Sequence, residues 1–136
     1  MKFKFLEHTA DIKFQAFGKT LEEVFENSAS AMFCSMHEGK IEKKIKKKIK
    51  VQGMDYESLL YNFLEELLVI FDSEHLFFAG VSRMKIKDKK LDAEIFFDKS
   101  EKYKIHLDVK AVTYNEMFVK KDEKKNQWNA QVVLDV

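Results

Sequence analysis

The sequence predicts an α+β fold with two layers, in which two amphipathic helices pack on one face of a mostly antiparallel sheet of about six to eight strands. Two stretches carry apolar residues at helical spacing, one near the start of the chain and one in its middle. After Gly80 the apolar period changes to two, and the alternating segments lie close together. Strands with short connections pair antiparallel, so a mostly antiparallel sheet is expected.

The first third of the chain predicts two strands and a helix. Phenylalanines alternate with lysines over residues 2–5, and a second alternating run covers residues 12–18. Thr20 and Glu23 have the form of a capping box, in which the Glu23 carboxylate reaches back to the Thr20 amide. The helix that follows is predicted to end before Gly39. Its apolar stripe consists of Leu21, Val24, Phe25, Ser28, Ala29, Met32, Phe33 and Met36.

The middle of the chain predicts a basic strand and a second helix. Residues 41–51 alternate at their end and carry six lysines, so we expect a strand with one very basic face. Asp55 is a suitable N-cap for the next helix. The stripe of that helix consists of Leu59, Leu60, Phe63, Leu64, Leu67, Leu68 and Phe71, with Glu57, Glu65 and Glu66 mostly off it.

The last third predicts only strands. Two alternating runs, 81–87 and 91–98, flank the polar residues 88–90 and indicate a hairpin. Three further strands are predicted over residues 103–111, 114–120 and 128–136.

Length and composition fit one soluble globular domain over residues 1–136. Hydrophobic residues make up 46% and charged residues 35%, and thirteen phenylalanines predict an aromatic-rich core. The net charge of +1 gives no overall field that would draw the protein onto nucleic acid or membrane. The single cysteine, Cys34, excludes an internal disulfide and fits a reducing compartment. We find no signal-peptide pattern and no membrane-span pattern, so we expect a cytoplasmic protein.

Two aspartates are candidate ligands for a divalent cation. Asp11 follows His8 by three residues, in the connection between the first two predicted strands. Asp135 precedes Val136, and the Asp135 side chain and Val136 carboxylate offer oxygens of the kind that Ca²⁺ and Mg²⁺ prefer. Taken alone, Asp11 is better explained as a turn residue and Asp135 as a solvated charge at a chain end. Regular alternation through Val136 argues instead for a docked last strand.

Two basic features can bind phosphate. Lys110 lies on the polar face of its predicted strand, where it can contact phosphate or an acidic partner, or face water. The six lysines from Lys43 to Lys50 can bind RNA. No aromatic residue is interleaved among them, which argues against a base-stacking platform and favours a solvated strand face that protects a sheet edge.

Motifs of the common enzyme classes are absent from the sequence. The four histidines lack zinc-type spacing, and neither a phosphate-binding glycine loop nor G-x-S-x-G nor H-E-x-x-H occurs. The residues alone therefore indicate an α+β domain with a possible site for a divalent cation.

Four segments together resemble the archease family over nearly the whole chain. They are FLEHTADIKFQAFGKTLEEVFENSASAMF, LLYNFLEELLVIFDSEHLFF, DVKAVTYNEM and WNAQVVLDV, in the order and spacing of the family. HTAD, VKAVTY and the final DV are specific in combination, although each is weak alone. The chain departs from archaeal relatives at Asn115, where they often have histidine.

The resemblance implies an accessory protein rather than an enzyme. Archeases assist the RtcB-type tRNA-splicing ligase, which joins exon ends with GTP and a divalent metal. The family member promotes guanylylation of the ligase's active-site histidine and so allows multiple turnover in tRNA splicing and RNA repair. The expected partner is therefore this ligase, with tRNA contacted only indirectly and no membrane involved.

The resemblance also assigns roles to particular residues. The family's metal-binding acids match Asp11 and Asp135, and Val136 supplies carboxylate or carbonyl oxygen. The implied cation is Ca²⁺ first, with Mg²⁺ or Mn²⁺ as alternatives. The functional lysine of the family matches Lys110, and His8 belongs to the same signature.

Two other functions remain open from the residues. One is a chaperone-like or general RNA-binding module that uses the lysine-rich segment 43–50. The other is a hydrolase in which Asp11, Asp135 and a metal activate water. The missing nucleotide loop and nucleophile motif make the hydrolase the less favoured of the two.

Overall fold

A computed structural model describes residues 1–7 and 10–136. The described residues form seven strands, two α-helices and one short 3₁₀ helix at Ser100–Lys102. In chain order the elements are β1 (Phe3–Leu6), β2 (Ile12–Gly18), α1 (Leu21–Cys34), β3 (Ile45–Gln52), α2 (Tyr56–Glu74), β4 (Leu76–Lys87), β5 (Lys90–Lys99), β6 (Ala111–Asp122) and β7 (Gln127–Asp135).

The strands form two antiparallel sheets. The four-stranded sheet has the order β1-β2-β7-β6, and the three-stranded sheet has the order β3-β5-β4. The α+β class, the two helices and the predicted number of strands are confirmed. The helices pack against both sheets, with α1 on β2 and β4 and α2 on β6 and β3. Sequence periodicity identifies strands but not their partners, so the division into two sheets was not visible in it.

Both helices begin at the predicted caps. The Thr20 hydroxyl accepts the Glu23 amide at 3.1 Å, but the Glu23 carboxylate accepts from the Lys19 amide rather than from Thr20. The Asp55 carboxylate accepts the Ser58 amide at 2.7 Å, and the Ser58 hydroxyl completes a capping box. These contacts satisfy amides at the first turns that have no partner inside the helix.

The core is rich in aromatic side chains, as the composition predicts. Phe33 of α1 lies edge-on to Phe77 of β4, with 4.9 Å between ring centroids, and stacks on Phe78 at 5.5 Å. Such pairs add stabilisation beyond the burial of their apolar area. Six phenylalanines are at most 2% exposed: Phe14, Phe25, Phe33, Phe63, Phe77 and Phe97.

The β4–β5 hairpin has a two-residue turn. Asp88 and Lys89 both have positive φ angles, 53° and 59°, which is the geometry of the tight turns that match strand twist. The hairpin is confirmed, and its strands are longer than predicted because β4 begins at Leu76, directly after α2. In contrast, β3 begins at Ile45, four residues after the predicted start.

The predicted strand over residues 103–111 is wrong for residues 103–110. Its apolar side chains do alternate toward the interior, but its middle bonds to residues just after α1, and it joins a strand at its last residue, Lys110. The His106 amide donates to the Met36 carbonyl at 2.8 Å, and His37 Nδ1 lies 2.7 Å from the Lys104 carbonyl. An alternating pattern reports which side chains are buried and not which backbone groups are paired.

Asp98→Asn should reduce the acid sensitivity of folding. The Tyr103 hydroxyl at 2.6 Å, the Lys99 amide and the Lys102 ammonium donate to the Asp98 carboxylate and lower its pKa. A lowered folded pKa contributes stability above the unfolded value of about 4, and this contribution is lost as pH falls through the folded pKa. Thermal unfolding between about pH 2 and pH 7 should give a lower and flatter curve for the variant.

The control is Glu101→Gln, which removes an exposed acid of the same turn. Parallel pH curves for Asp98→Asn and the wild-type protein would show that this carboxylate does not contribute to the acid sensitivity.

Candidate functional site

Two of the predicted ligand residues lie at the ends of neighbouring strands, at the same end of the four-stranded sheet. β2 pairs antiparallel with β7, and the last pair at this end is Ile12 with Leu134. Asp11 directly precedes Ile12, and Asp135 directly follows Leu134. Asp11 is partly buried, whereas Asp135 is exposed. The topology therefore brings together two acids from opposite ends of the sequence.

The start of β6 lies on the other side of Asp135. Ala111 pairs with Asp135, and the Lys110 amide donates to the Asp135 carbonyl at 2.8 Å. The Lys110 side chain is exposed, and Val136 is partly buried against the core. β7 thus lies between the strand that follows Asp11 and the strand that follows Lys110. His8 lies outside the described residues.

The oxygen donors at this end of the sheet fit part of the shell of a hard cation. The carboxylates of Asp11 and Asp135 are suitable ligands, and Val136 adds main-chain oxygen. The Asp135 carbonyl already accepts the Lys110 amide at 2.8 Å. Within residues 1–7 and 10–136, no group of three or more His, Cys, Asp or Glu side chains is arranged to hold a metal. Because Ca²⁺ takes about 6–8 oxygens, a cation here requires ligands beyond these side chains.

Two carboxylates of α2 hold β6 in place. Glu65 accepts the Val112 amide at 2.7 Å, and Glu57 accepts the Val119 amide at 2.9 Å. β6 is an edge strand, so these amides have no neighbouring strand to bond. The apolar pattern of α2 predicts only that these glutamates lie mostly off its stripe. Their spacing of eight residues, which places both on one flank of the apolar stripe, was the available signal.

A bulge in β6 contains an exposed aromatic side chain. The β6–β7 register shifts between Thr113 and Phe118, and Glu116 has a φ of 55°. Tyr114, 54% exposed, stacks on Tyr61 of α2 with ring centroids 4.2 Å apart. Partial burial and the neighbouring Tyr61 raise the pKa of Tyr114, so its hydroxyl stays protonated at neutral pH. The periodicity of the sequence did not reveal this pair.

Asn115 belongs to the same bulge. Its amide donates to the Thr113 hydroxyl at 3.3 Å, and that hydroxyl donates to the Val133 carbonyl at 3.0 Å. The backbone of Asn115 is therefore linked through the Thr113 hydroxyl to β7, the strand that pairs with the start of β6.

Cys34 lies near the end of α1, beside the stacked rings of His37 and His106, whose centroids are 6.2 Å apart. Burial, with a smaller contribution from Glu38, raises the pKa of the Cys34 thiol. A protonated thiol is a poor nucleophile, so Cys34 is unsuited to covalent catalysis at neutral pH.

Comparison with known proteins gives the family. The sequence model of the Archease protein family (MTH1598/TM1083) matches residues 3–136. A protein archease of Pyrococcus abyssi is 43% identical over 142 aligned residues, which cover 99% of each chain. This chain belongs to the archease family. The resemblance stated from the sequence motifs is thereby confirmed.

Further relatives agree with this assignment. A protein archease of Methanosarcina acetivorans is 37% identical, over 99% of this chain and 96% of its own. The solution structure of protein 1598 of Methanobacterium thermoautotrophicum is 35% identical, covers 99% of both chains and has a TM-score of 0.79. An archease from Thermotoga maritima, described as a possible chaperone, shares the fold with a TM-score of 0.63 at 20% identity.

The relatives' names designate a protein and no catalysed reaction. Neither α1 nor α2, the two α-helices in the described part of the chain, is long and apolar enough to cross a membrane.

Glu65→Ala should destabilise the protein by about 1–3 kcal/mol, because it removes a charged acceptor and leaves the Val112 amide unpaired. Urea unfolding measures the change. Glu66→Ala is the matched control, since it removes the neighbouring acid of the same helix and leaves both hydrogen bonds to β6 in place. Equal losses in the two variants would contradict a specific role for the Glu65–Val112 contact.

Proposed function

We propose that this protein is an accessory activator of an RtcB-type RNA ligase. In this role it promotes guanylylation of the ligase's active-site histidine and so allows multiple turnover in tRNA splicing and RNA repair. Membership of the archease family supports the proposal. The possible chaperone role of the Thermotoga maritima protein is also an accessory one.

One observation carries the proposal. Asp11, Asp135 and Lys110, which the family resemblance singles out, come from three separate parts of the chain and lie at one end of one sheet. The same end includes Val136, which directly follows Asp135. An exposed acid and an exposed lysine on a rigid sheet suit a short-range contact with another protein.

The two aspartates are the proposed cation ligands. When bound, a divalent cation, Ca²⁺ first and Mg²⁺ or Mn²⁺ as alternatives, supplies positive charge to their carboxylates. Val136 contributes main-chain oxygen, and water or the ligase contributes the remaining oxygens. An incomplete shell of this kind favours a site that is completed at the interface with the partner.

Lys110 is the proposed contact to a phosphate or to an acidic residue of the ligase. Its backbone is held by the Asp135 carbonyl, while its exposed side chain keeps a mobile ammonium group on a four-carbon stem. His8 precedes Asp11 by three residues, and we assign it to the same contact.

Calcium should raise the melting temperature of the wild-type protein and should do so less for Asp11→Asn and Asp135→Asn. A ligand at one hundred times its Kd stabilises a folded protein by about 2.7 kcal/mol. Differential scanning fluorimetry in CaCl₂, MgCl₂ and MnCl₂ measures the shift and ranks the ions. Asp88→Asn is the control, because Asp88 lies in the tight turn of the other sheet and asparagine suits its positive φ. Equal shifts in all four proteins would contradict the aspartate site.

Asp135→Asn should impair activation of the ligase without unfolding the protein. The assay joins a 3′-phosphate RNA with the cognate ligase, with RNA in excess and GTP present. Wild-type protein should convert about one product per ligase into many, and Asp135→Asn should remain near one. Lys110→Gln should also be impaired, whereas Asp88→Asn should activate fully.

Measuring the ligase that stays in solution separates activation from a chaperone effect. Full activation by Asp135→Asn would refute the role of the acidic site. If ligation rises only in proportion to the amount of ligase that stays in solution, the chaperone role would be favoured. No activation by the wild-type protein would refute the proposed function.

A further inference from the structure

The three-stranded sheet has one face directed away from the helices. Its inner side chains, such as Ile49 and Ile95, lie in the core. Residues opposite each other in neighbouring strands share a face, so the register defines the outward positions. They form four rows across β3, β5 and β4: Lys46–Phe96–Gly80, Lys48–Glu94–Arg83, Lys50–Asp92–Lys85 and Gln52–Lys90–Lys87. We call this surface the outer basic face.

The outer basic face concentrates positive charge. Seven basic side chains against two acidic ones leave a net charge of +5, whereas the whole chain has +1. The rest of the chain therefore carries −4. A solvated surface commonly intersperses both signs, so a segregation of this size is a local field that the overall charge conceals.

Both acids of the face are paired with one arginine. Arg83 donates to Asp92 at 3.3 Å and to Glu94 at 3.2 Å. In the described part of the chain, no carboxylate lies within 4.0 Å of the ammonium groups of the six lysines of the face. Those lysines are Lys46, Lys48, Lys50, Lys85, Lys87 and Lys90. All six are exposed and available to an anionic partner.

An aromatic ring lies among these cations. Phe96 of β5 is partly exposed, and the ammonium groups of Lys43 and Lys46 lie 5.5 and 5.4 Å from its ring centroid. Lys43 reaches this position across Gly80, where an added Cβ would lie 3.1 Å from the lysine stem. The lysine-rich segment contains no aromatic residue, but the sheet supplies one from another strand.

The face has the shape of an extended track. From Phe96 to Lys90 it runs six residues, or about 20 Å, with about 10 Å between its outer strands. At the hairpin end, a shallow depression of about 420 Å³ is lined by Lys50, Lys85, Lys87 and Lys90. A row of phosphates can follow such a track, because sites for single strands combine a positive groove with exposed aromatic rings.

We propose that the outer basic face binds the phosphate backbone of single-stranded RNA without sequence preference. This goes beyond the proposed function, because it requires neither the ligase nor a cation. Protection of the sheet edges explains charges on β3 and β4, the two edge strands. It does not require Lys90 on the central strand, or the pairing of both carboxylates of that strand with Arg83, which together leave the face with a net charge of +5.

Binding is tested with the isolated protein and a fluorescent twelve-nucleotide uridine strand, by anisotropy. For about four phosphate contacts, raising the salt from about 50 to about 200 mM should weaken binding by roughly 50-fold. The variant Lys48→Gln/Lys50→Gln/Lys85→Gln should lose roughly two units of the salt slope and bind at least about ten-fold more weakly. An adenosine strand of the same length should bind with similar affinity to the wild-type protein.

The matched control is Lys121→Gln/Lys124→Gln/Lys125→Gln, which removes the same charge from the exposed end of the β6–β7 hairpin. Retained binding by this control, with loss in the variant of the face, supports the proposal. Equal losses in both variants would overturn it, because only overall charge would then matter. Absence of binding at about 50 mM salt, or equally tight binding of polyglutamate to the same lysines, would also overturn it.

Discussion

The antiparallel pairing of β2 with β7 is the contact on which the rest of the structure depends. It joins the first and last parts of the chain at the centre of the four-stranded sheet. Its inner side chains are fully buried, among them Phe14, Ala16, Val132 and Leu134. Regular pairing as far as Ile12 and Leu134 places Asp11 directly before β2 and Asp135 at the last position of β7. A shift of one residue would move every side chain of the strand to the opposite face, so the buried pattern determines the register and with it the position of the acids.

The α2 helix contributes polar contacts as well as an apolar face. Glu57 and Glu65 bond amides of the edge strand β6, in the place where a further strand would otherwise pair. A long unpaired edge is a site for aggregation, and a covering helix removes that exposure. The same contacts hold the start of β6, and with it Lys110, beside Asp135. Helix packing and the geometry of the candidate site are therefore parts of one arrangement.

Charge is distributed unevenly over the two sheets. The end of the four-stranded sheet gathers two aspartates, whereas the outer basic face of the three-stranded sheet gathers seven basic side chains. A net charge of +1 averages over both regions and describes neither. Because the two surfaces belong to different sheets and share no residue, substitutions in one should have nearly independent effects on the other.

Much of the fold was predictable from local sequence. Caps at Thr20 and Asp55, two apolar stripes and the alternating strands are short-range signals, and the structure has each of them. The segment over residues 103–110 shows the limit of such signals. Its alternation correctly reports burial, but the His106 amide bonds the Met36 carbonyl just after α1, and a contact of that kind depends on residues about seventy positions away.

The sequence predicted the individual residues of the candidate site but not that they lie together. The motifs drew attention to Asp11, Lys110 and Asp135, but nothing in their local sequence shows that they meet. The same is true of Phe96, which joins the lysines of β3 only through sheet pairing. The sequence by itself determined the elements, their buried faces and the family. The tertiary structure decided which strands are neighbours, because pairing depends on packing among distant segments, and strand pairing in turn brings the acids together and completes the basic face.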